Sequence, residues 1–434
     1  MKILFIYPAF ERHAQSHPEL LEYVPGEEYI GSPSLGIASV AACTPPEFEV
    51  AYLDDRVTPV GEPLPEADLY ALSFFTPAAS RALAIADMLR QTGKPVVAGG
   101  IFPTLMPELC AAHFDAVVVG EGEAVWPQLC RDAAAGRLAP RYQARQPVDP
   151  ASLPLPRMEL YFGAETPDFS PHDYPVQISR GCPFRCDACV VPLTMGRKLR
   201  PLPLEHNLQL LEQLARAGKR CSLTEDTSLM FVSGARRRLR ELLRRLGRQE
   251  MDPAVRISYL GTSIPLLLHA EEEVFSEARA AGMNRFYIVG GFDKVTRDAF
   301  SRGQPQALEQ VRQAVSRCQQ AGIEPYMSFL VGGEDDQEGI FERILEFADS
   351  VRLTIAEFAI ATPYPGTPLW ETLQRQGRIF DRDWRHYNDA NVVFTPRVMS
   401  PEQLLDGYLM LWREFYRSRQ HLAEADQESR TIQF

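Results

Sequence analysis

The stretch Ile178-Ser-Arg-Gly-Cys182-Pro-Phe-Arg-Cys186-Asp-Ala-Cys189 carries three cysteines within eight residues, directly after a short strand-forming run. Three thiolates at the spacing C-x3-C-x2-C can hold one cubane iron–sulfur cluster and leave its fourth iron without a protein ligand. That open iron can be chelated by a substrate or cosubstrate. A structural zinc site is the weaker alternative, because it takes four ligands and no second C-x2-C or nearby histidine pair is present.

Short apolar runs alternate with helical periodicity over residues 1–140. The strand candidates are Lys2–Tyr7, Phe48–Leu53, Leu69–Ser73, Pro95–Ala98 and Ala116–Val119. This alternation predicts a doubly wound, Rossmann-like (flavodoxin-like) parallel sheet. Ligands of such sheets bind beyond the carboxyl ends of the strands.

A proline-rich segment, residues 141–170, predicts a semi-rigid linker to a second α/β domain at residues 171–375. Six strand candidates alternate there with helical patterns, two short of a closed TIM barrel, so a partial (β/α)6 barrel is predicted. The strand candidates are Val176–Ser179, Ser222–Glu225, Arg256–Leu260, Arg285–Val289, Pro325–Val331 and Glu357–Ala361. Residues 376–434 predict a small, mostly helical C-terminal region.

The bulk composition is that of a globular protein, with 45% hydrophobic and 24% charged residues. A net charge of −12 argues against nucleic acid or an anionic membrane as a partner. The basic run Arg236–Arg245 is interpreted as a solvated helix face. No apolar stretch reaches the ~20 residues of a membrane span, and the N-terminus predicts a strand, so a cytoplasmic protein is expected.

The cysteine segment resembles the signature of the radical S-adenosylmethionine (SAM) superfamily, which lies after the first strand of a partial barrel. The resemblance implies that Cys182, Cys186 and Cys189 hold a [4Fe-4S] cluster whose open iron binds the amino and carboxylate groups of SAM. Reductive cleavage of SAM then yields a 5′-deoxyadenosyl radical. The residue before the third cysteine is usually aromatic and near the adenine. Here it is Ala188, so this chain departs from the family at that adenine contact.

The same resemblance implies SAM contacts at the ends of later strands. These predicted contacts are Glu225 and Asp226 for the amino end, Ser258 for the ribose, and Asp293 and Gly332 on later loops. Taken singly, each of them could equally be a turn or a helix cap. Arg197 and Arg200, which follow the cysteines, are interpreted as structural ion-pair partners.

The first domain resembles the cobalamin-binding domain that precedes the barrel in a large radical SAM subgroup. The matching stretches are Ser34–Gly36, Asp54-Asp55, Ser73–Thr76, Gly99–Thr104 and Val119–Glu123. They imply cobalamin contacts at Asp54, Ser73, Phe75, Thr76, Gly99, Gly100, Pro103, Thr104, Gly120, Glu121 and Gly122. The alternative is a flavodoxin-like domain that has kept the fold and lost the ligand.

The sequence lacks the Asp-x-His-x-x-Gly motif that supplies a histidine to cobalt in other cobalamin proteins. Cobalamin would therefore have no histidine on its lower face, as is usual in this subgroup. The loop Phe74–Thr76 would approach that face, while Gly99–Thr104 and Gly120–Glu123 would flank the nucleotide tail.

The segments Thr362–Trp370 and Asn391–Pro396 resemble those of relatives that act on polycyclic, tetrapyrrole and hopanoid-type substrates. The prolines of the first segment could equally form a rigid turn that closes the barrel. We expect a cobalamin-dependent methyltransferase acting on a carbon of a biosynthetic intermediate, with the substrate between the two domains. Tyr364 and Trp370 are the candidate substrate contacts.

Two alternatives remain at this stage. One keeps the cofactors and changes the reaction to cyclisation, ring rearrangement or oxidation without methyl transfer. The other is a non-catalytic cobalamin carrier. The intact cysteine triplet argues against a carrier, because a carrier does not need an iron–sulfur cluster. The expected partners are a small-molecule substrate and a flavodoxin- or ferredoxin-type reductant.

Overall fold

The computed structural model describes residues 1–11, 13–23, 33–166, 171, 173–225, 235–248 and 253–419. Two mainly parallel sheets follow one another along this part of the chain. The first belongs to a Rossmann-like domain and the second to a partial barrel, and a helical region follows the barrel. The predicted fold class is therefore confirmed.

The first sheet has the strand order β2-β1-β3-β4-β5-β6, and its neighbouring strands are parallel. Its strands are β1 (Lys2–Tyr7), β2 (Glu49–Asp54), β3 (Leu69–Ser73), β4 (Val96–Gly99), β5 (Ala116–Val119) and β6 (Arg141–Gln143). The helices of this part are α1 (His13–Ser16), α2 (Leu35–Ala42), α3 (Ala79–Arg90), α4 (Ile101–Leu105), α5 (Pro107–Ala111) and α6 (Trp126–Ala134). The strand order changes direction between β1 and β3, which is where ligands of such sheets bind.

The proline-rich segment predicted as a linker folds against the first domain. Its first residues form β6, the edge strand of the first sheet. Further on, α7 (Glu159–Phe162) places Tyr161 edge-on against Tyr52 of β2, with ring centroids 4.7 Å apart. The Arg157 N–H donates to the Ala38 carbonyl oxygen at 3.0 Å. The segment therefore extends the first domain before the chain enters the barrel.

The second sheet has the strand order β13-β12-β11-β10-β9-β7-β8. Its strands are β7 (Tyr174–Arg180), β8 (Arg200–Pro201), β9 (Arg220–Glu225), β10 (Arg256–Ser263), β11 (Arg285–Val289), β12 (Glu324–Val331) and β13 (Ile355–Ile360). All pairs are parallel except β7 with β8. Six parallel strands in chain order form an open (β/α)6 barrel, and the short antiparallel β8 adds to its first edge.

Helices cover the outer face of this barrel. The helices of this domain are α8 (Val191–Thr194), which lies between β7 and β8, and α9 (Leu204–Arg216), α10 (Arg236–Gly247), α11 (Ile264–His269), α12 (Glu272–Ala280), α13 (Lys294–Thr296), α14 (Pro305–Gln320) and α15 (Ile340–Ser350). On α9, Leu211 and Leu214 are fully buried against Val176 of β7 and Leu223 of β9. Burying one such leucine contributes roughly 1.5–3 kcal/mol to stability, so this stripe holds the helix on the sheet.

The C-terminal region consists of α16 (Pro368–Arg375) and α17 (Pro401–Arg417) with an irregular stretch between them. Ser400 and Gln403 form a capping box that starts α17. A Cβ at Gly407 would lie 2.2 Å from the Phe341 ring, so the glycine lets α17 pack closely against α15. The stretch between the helices also reaches the first domain, where Ser80 Oγ donates to Asp383 Oδ1 at 3.2 Å.

The basic run forms α10, and its charges are largely paired on the surface of the protein. Arg240 binds Glu277 at 2.8 Å and Glu271 at 3.1 Å, while Arg236 binds Glu271 at 2.7 Å. These pairs agree with the interpretation as a solvated helix face. In the described residues, no helix has the length and apolar character required to cross a membrane.

Candidate functional site

A cavity of about 290 Å³ lies at the carboxyl ends of β1, β3, β4 and β5, where the strand order of the first sheet changes direction. The barrel domain supplies the other wall through Gln177, Arg180, Thr194 and Met195. Most of the predicted cobalamin contacts line the first-domain wall, namely Ser73, Phe75, Gly99, Gly100, Thr104, Gly120, Glu121 and Gly122.

Two glycines shape the loop after β4. Gly100 has φ +100°, and a Cβ there would lie 2.7 Å from the Phe74 carbonyl oxygen. Thr104 Oγ1 donates to the Gly100 carbonyl oxygen at 2.7 Å and accepts from the Gly120 N–H at 2.9 Å. These hydrogen bonds join the loops after β4 and β5, whose backbones line the cavity. Glycines in these loops allow a large ligand to contact the backbone closely.

Three predicted cobalamin contacts lie outside this wall. The Asp54 carboxylate is 4% exposed and binds the Arg56 guanidinium at 2.7 and 2.9 Å. Thr76 is buried, and its hydroxyl has no hydrogen-bond partner among the described residues. Pro103 is buried inside α4. The bond to Arg56 gives Asp54 a structural role, and Pro103 is part of α4. The Thr76 hydroxyl is left without a described partner, and contact of all three residues with cobalamin stays a prediction.

Glu121 lines the cavity, but its carboxylate is occupied by the barrel domain. Oε1 accepts from Arg180 at 3.0 Å, and Oε2 accepts from Arg200 at 2.9 Å and from the Val148 N–H at 2.9 Å. The ion pair predicted for Arg200 is therefore present. Arg197 is exposed and has no ion pair with a described residue.

The cysteine loop, residues 181–199, joins β7 to β8. Gly181 has φ +84°, and a Cβ there would lie 2.3 Å from the Lys198 carbonyl oxygen, so the two ends of the loop run in contact. The Cys182 N–H donates to the Gly196 carbonyl oxygen at 3.0 Å, and the Cys189 N–H donates to the Cys186 carbonyl oxygen at 3.3 Å. Cys182 is buried, while Cys186 and Cys189 are half-buried.

The three thiols lie close enough to act on one another. Burial, followed by the charges of Cys189 and Cys182, raises the pKa of Cys186 to about 11. Among the described residues, no three His, Cys, Asp or Glu side chains converge as a ready-made metal site. The fit of an iron–sulfur cluster therefore rests on the donor set itself, three thiols on one loop, which is the set that such a cluster takes.

The predicted SAM contacts on β9 and β10 lie on the barrel strands. Glu225 Oε2 accepts from Ser179 Oγ at 3.1 Å, which joins the ends of β9 and β7. Asp226 lies outside the described residues. Ser258 is 8% exposed, and its buried hydroxyl has no hydrogen-bond partner among the described residues. A buried hydroxyl of this kind fits a site that is completed by a polar ligand.

Asp293 and Gly332 have local structural partners. Asp293 accepts from the Thr296 N–H at 3.0 Å and from Thr296 Oγ1 at 2.7 Å, and so caps α13. The Gly332 N–H donates to Asp336 at 2.6 Å, and a Cβ at Gly332 would lie 2.7 Å from the Leu404 side chain. These contacts account for both residues without a ligand, and their SAM contacts stay predictions.

Tyr364 and Trp370 lie beside the cysteine loop. Both are half-buried and pack with Ala188 against the cluster of Leu369, Leu373, Ile379, Tyr387, Val393 and Phe394. The Tyr364 hydroxyl donates to Asp389 at 2.9 Å, and the Leu369 N–H donates to the Asp187 carbonyl oxygen at 3.0 Å. The C-terminal segment therefore reaches the position before the third cysteine, where an aromatic residue was expected and Ala188 stands.

The barrel side of the cavity was not predicted from the sequence. Gln177 and Arg180 belong to β7, and Arg180 is two residues from Cys182. Gln177 Oε1 accepts from Arg180 Nε at 2.9 Å, which orients the guanidinium toward the first domain. The only sequence signal was the position of Arg180 beside the cysteine triplet, and that position does not identify its partners.

Comparisons with known proteins divide the chain in the same way. Residues 31–129 match the family model described as the B12 binding domain, and residues 176–348 match that of the radical SAM superfamily. Residues 367–433 match a domain of unknown function (DUF4070).

Two relatives from Chlorobaculum tepidum match across most of their length. Bacteriochlorophyllide d C-12(1)-methyltransferase is 27% identical over 88% of this chain and 82% of its own. Bacteriochlorophyllide d C-8(2)-methyltransferase is 26% identical over 87% of this chain and 83% of its own. Among solved structures, the radical SAM methyltransferase TsrM from Kitasatospora setae, with cobalamin and a [4Fe-4S] cluster bound, has a TM-score of 0.67 at 17% identity. That match covers 95% of this chain and 88% of TsrM.

Proposed function

We infer that this chain, which joins a B12-binding domain to a radical SAM domain, is a cobalamin-dependent radical SAM methyltransferase. The proposed reaction transfers a methyl group to a carbon of a biosynthetic intermediate. When bound, the cluster and SAM supply a 5′-deoxyadenosyl radical, and cobalamin supplies the methyl group.

One observation carries the proposal. The cavity at the switch point of the first sheet is lined on its barrel side by residues of β7, the strand that leads into the cysteine loop. A ligand held by the loops after β3, β4 and β5 would therefore lie next to the segment that carries Cys182. The cobalamin site and the cluster site would then be adjacent, as they must be if both cofactors act on one substrate.

The residues of this chain have separable roles in that proposal. Cys182, Cys186 and Cys189 would hold the cluster. The loops of Gly99–Thr104 and Gly120–Gly122 would accept cobalamin along their backbones, and Phe75 would present an apolar ring to it. Glu225 and Ser258 would bind SAM, with Ser258 gaining the hydrogen-bond partner that it lacks among the described residues. Tyr364 and Trp370 would contact the substrate.

The substrate class is part of the proposal. The two Chlorobaculum relatives are named for methyl transfer to carbon positions of bacteriochlorophyllide d. Tetrapyrroles and other polycyclic intermediates are therefore the first substrates to test. A flavodoxin- or ferredoxin-type electron donor and a cytoplasmic location complete the proposal.

Anaerobic reconstitution with iron, sulfide and hydroxocobalamin tests the cofactors directly. We expect about four irons, as a cubane cluster requires, and one cobalt per chain after desalting. Iron without cobalt would contradict the methyltransferase proposal and leave the flavodoxin-like alternative. Under turnover, methylated product with both S-adenosylhomocysteine and 5′-deoxyadenosine is expected. Formation of 5′-deoxyadenosine without S-adenosylhomocysteine would instead indicate a non-methylating reaction.

A further inference from the structure

Both ends of the cysteine loop carry an arginine, and the two arginines face each other. Arg180 ends β7 and Arg200 begins β8, and the antiparallel register pairs them directly. Like charges directly opposite each other destabilise a strand pair. Both side chains are nearly buried, with 6% and 11% exposed, so solvent screens this repulsion only weakly.

Two carboxylates of the first domain neutralise this pair, and one of them, Glu121, binds both arginines. Glu121 Oε1 binds Arg180 at 3.0 Å, and Glu121 Oε2 binds Arg200 at 2.9 Å. Glu123 adds a second contact to Arg180 at 2.7 Å, whereas Glu121 is the only carboxylate that Arg200 contacts among the described residues. The buried group therefore contains two cations and two anions, and its anions come from a different domain than its cations.

The arginines also hold the loop itself. Arg200 donates to the Met195 carbonyl oxygen at 2.7 Å, and the next residue, Gly196, accepts from the Cys182 N–H at 3.0 Å. A continuous set of contacts thus runs from Glu121, through Arg200 and the second half of the loop, to the first cysteine. The same carboxylate lines the cavity proposed for cobalamin.

We propose that Glu121 is a positioning residue of the first domain that holds the two ends of the cysteine loop together. By binding both Arg180 and Arg200, and together with Glu123 balancing their charges, Glu121 keeps β7 and β8 paired and so fixes the loop that holds the cluster. This role depends on the proposed function in one respect, which is that the cysteine loop holds an iron–sulfur cluster. It also gives Glu121 a function other than the predicted contact with cobalamin.

The test compares iron release from reconstituted full-length variants to a chelator under anaerobic conditions. In E121Q, Arg200 becomes a buried cation without a carboxylate, so we expect iron release roughly tenfold faster than in the wild type. The control E108Q removes the same charge from an exposed pair of the same domain, Glu108 with Arg141 at 3.4 Å, and should release iron at the wild-type rate.

A second variant separates positioning from general damage. In E121Q/R200Q, Arg180 still has Glu123 and no arginine faces it, but the bond from Arg200 to the Met195 carbonyl oxygen is also lost, so iron release should lie between that of E121Q and that of the wild type. The electron paramagnetic resonance spectrum of the reduced cluster should change in E121Q and return part of the way in the double variant. If E121Q itself fails to fold, a folded double variant that retains iron supports the proposal equally.

Wild-type iron release in E121Q would overturn the proposal. So would a double variant that loses iron as fast as E121Q, or that fails to fold with it, because the damage would then not come from the facing arginines. Iron release needs no cobalamin and no substrate. If the wild type binds iron but no cobalt, the methyltransferase proposal fails while this test still gives its answer.

Discussion

The indole ring of Trp384 packs edge-on against the Phe102 ring, with centroids 5.2 Å apart, and joins the C-terminal region to the first domain. Phe102 is fully buried in α4, the short helix that directly follows Gly99 and Gly100, and it packs in the core of the first domain. This contact therefore ties the C-terminal region to the loop that lines the proposed cobalamin cavity.

Replacing Trp384 by alanine should weaken this attachment. Trp384 is half-buried, so we expect the free energy of unfolding to fall by about 2 kcal/mol, below the 3–5 kcal/mol of a fully buried tryptophan. Denaturant titration followed by circular dichroism measures the change. F380A is the matched control, because Phe380 is 56% exposed and its removal should cost less than about 0.5 kcal/mol. Equal effects of the two variants would contradict the assigned contact.

Replacing Gly100 by alanine should reduce cobalamin retention and leave iron content unchanged. The new Cβ would lie 2.7 Å from the Phe74 carbonyl oxygen, in addition to the cost of about 1–2 kcal/mol for a non-glycine residue at positive φ. Gly93 has φ +71° with nothing within 4 Å of its Cβ position, so G93A carries the backbone cost alone. Cobalt per chain after desalting measures the effect. Cobalt loss in G93A equal to that in G100A would refute the steric explanation.

The Asp383 carboxylate should stabilise the C-terminal contact except in strong acid. The Arg385 guanidinium, assisted by the Arg385 N–H and Ser80, lowers the pKa of Asp383 to about 2. Because the folded pKa lies below the ordinary value of 3.8, the stabilisation is complete above about pH 4 and is lost as the pH falls toward 2.

The variant D383N tests this pH dependence. At neutral pH it should be less stable than the wild type by about 0.5–1 kcal/mol, given the partial exposure of the pair. Melting temperatures of the two proteins should converge between about pH 4 and pH 2. D406N, which changes an exposed carboxylate without an ion pair to a described residue, controls for net charge. A difference that stays constant down to pH 2 would contradict the assignment.

Replacing Cys186 by alanine should abolish cluster binding and the formation of 5′-deoxyadenosine together, because two thiolates cannot hold a cubane cluster at this site. The far-ultraviolet circular dichroism should stay that of the wild type, since Cys186 is only half-buried. C318A, which alters a buried cysteine of α14, should keep its iron. Continued 5′-deoxyadenosine formation by C186A would disprove the cluster assignment.

The longer strands could be predicted from the sequence because their signal is local. Five strands of the first sheet and the six parallel strands of the barrel lie within a few residues of their predicted positions. The short strands β6 and β8 were missed, because Arg141–Gln143 and Arg200–Pro201 are too short to show a periodicity. Their positions depend on the neighbouring strand and not on their own sequence.

The side-chain partners at the site could not be predicted in the same way. The resemblance to cobalamin-binding domains identified Glu121 as a contact, yet its carboxylate binds arginines 59 and 79 residues further along the chain. Asp54 likewise pairs with Arg56, a partner that the adjacent residues Asp54 and Asp55 do not by themselves reveal. The position of a loop backbone follows from the strands that it joins. The partner of a charged side chain depends on local folding, as for Asp54, or on contact between the two domains, as for Glu121.

The bond between Glu121 and the two arginines has a consequence for biosynthesis. Ribosomes release the N-terminal domain first, and domains generally fold as units while synthesis proceeds. The carboxylate that closes the cysteine loop is thus in place before Arg180 and Arg200 emerge. The iron–sulfur cluster would then be inserted into a loop that the first domain, synthesised earlier, already holds in place. In a barrel expressed without residues 1–140, Arg180 and Arg200 would repel each other and the cysteine loop between them would be unconstrained.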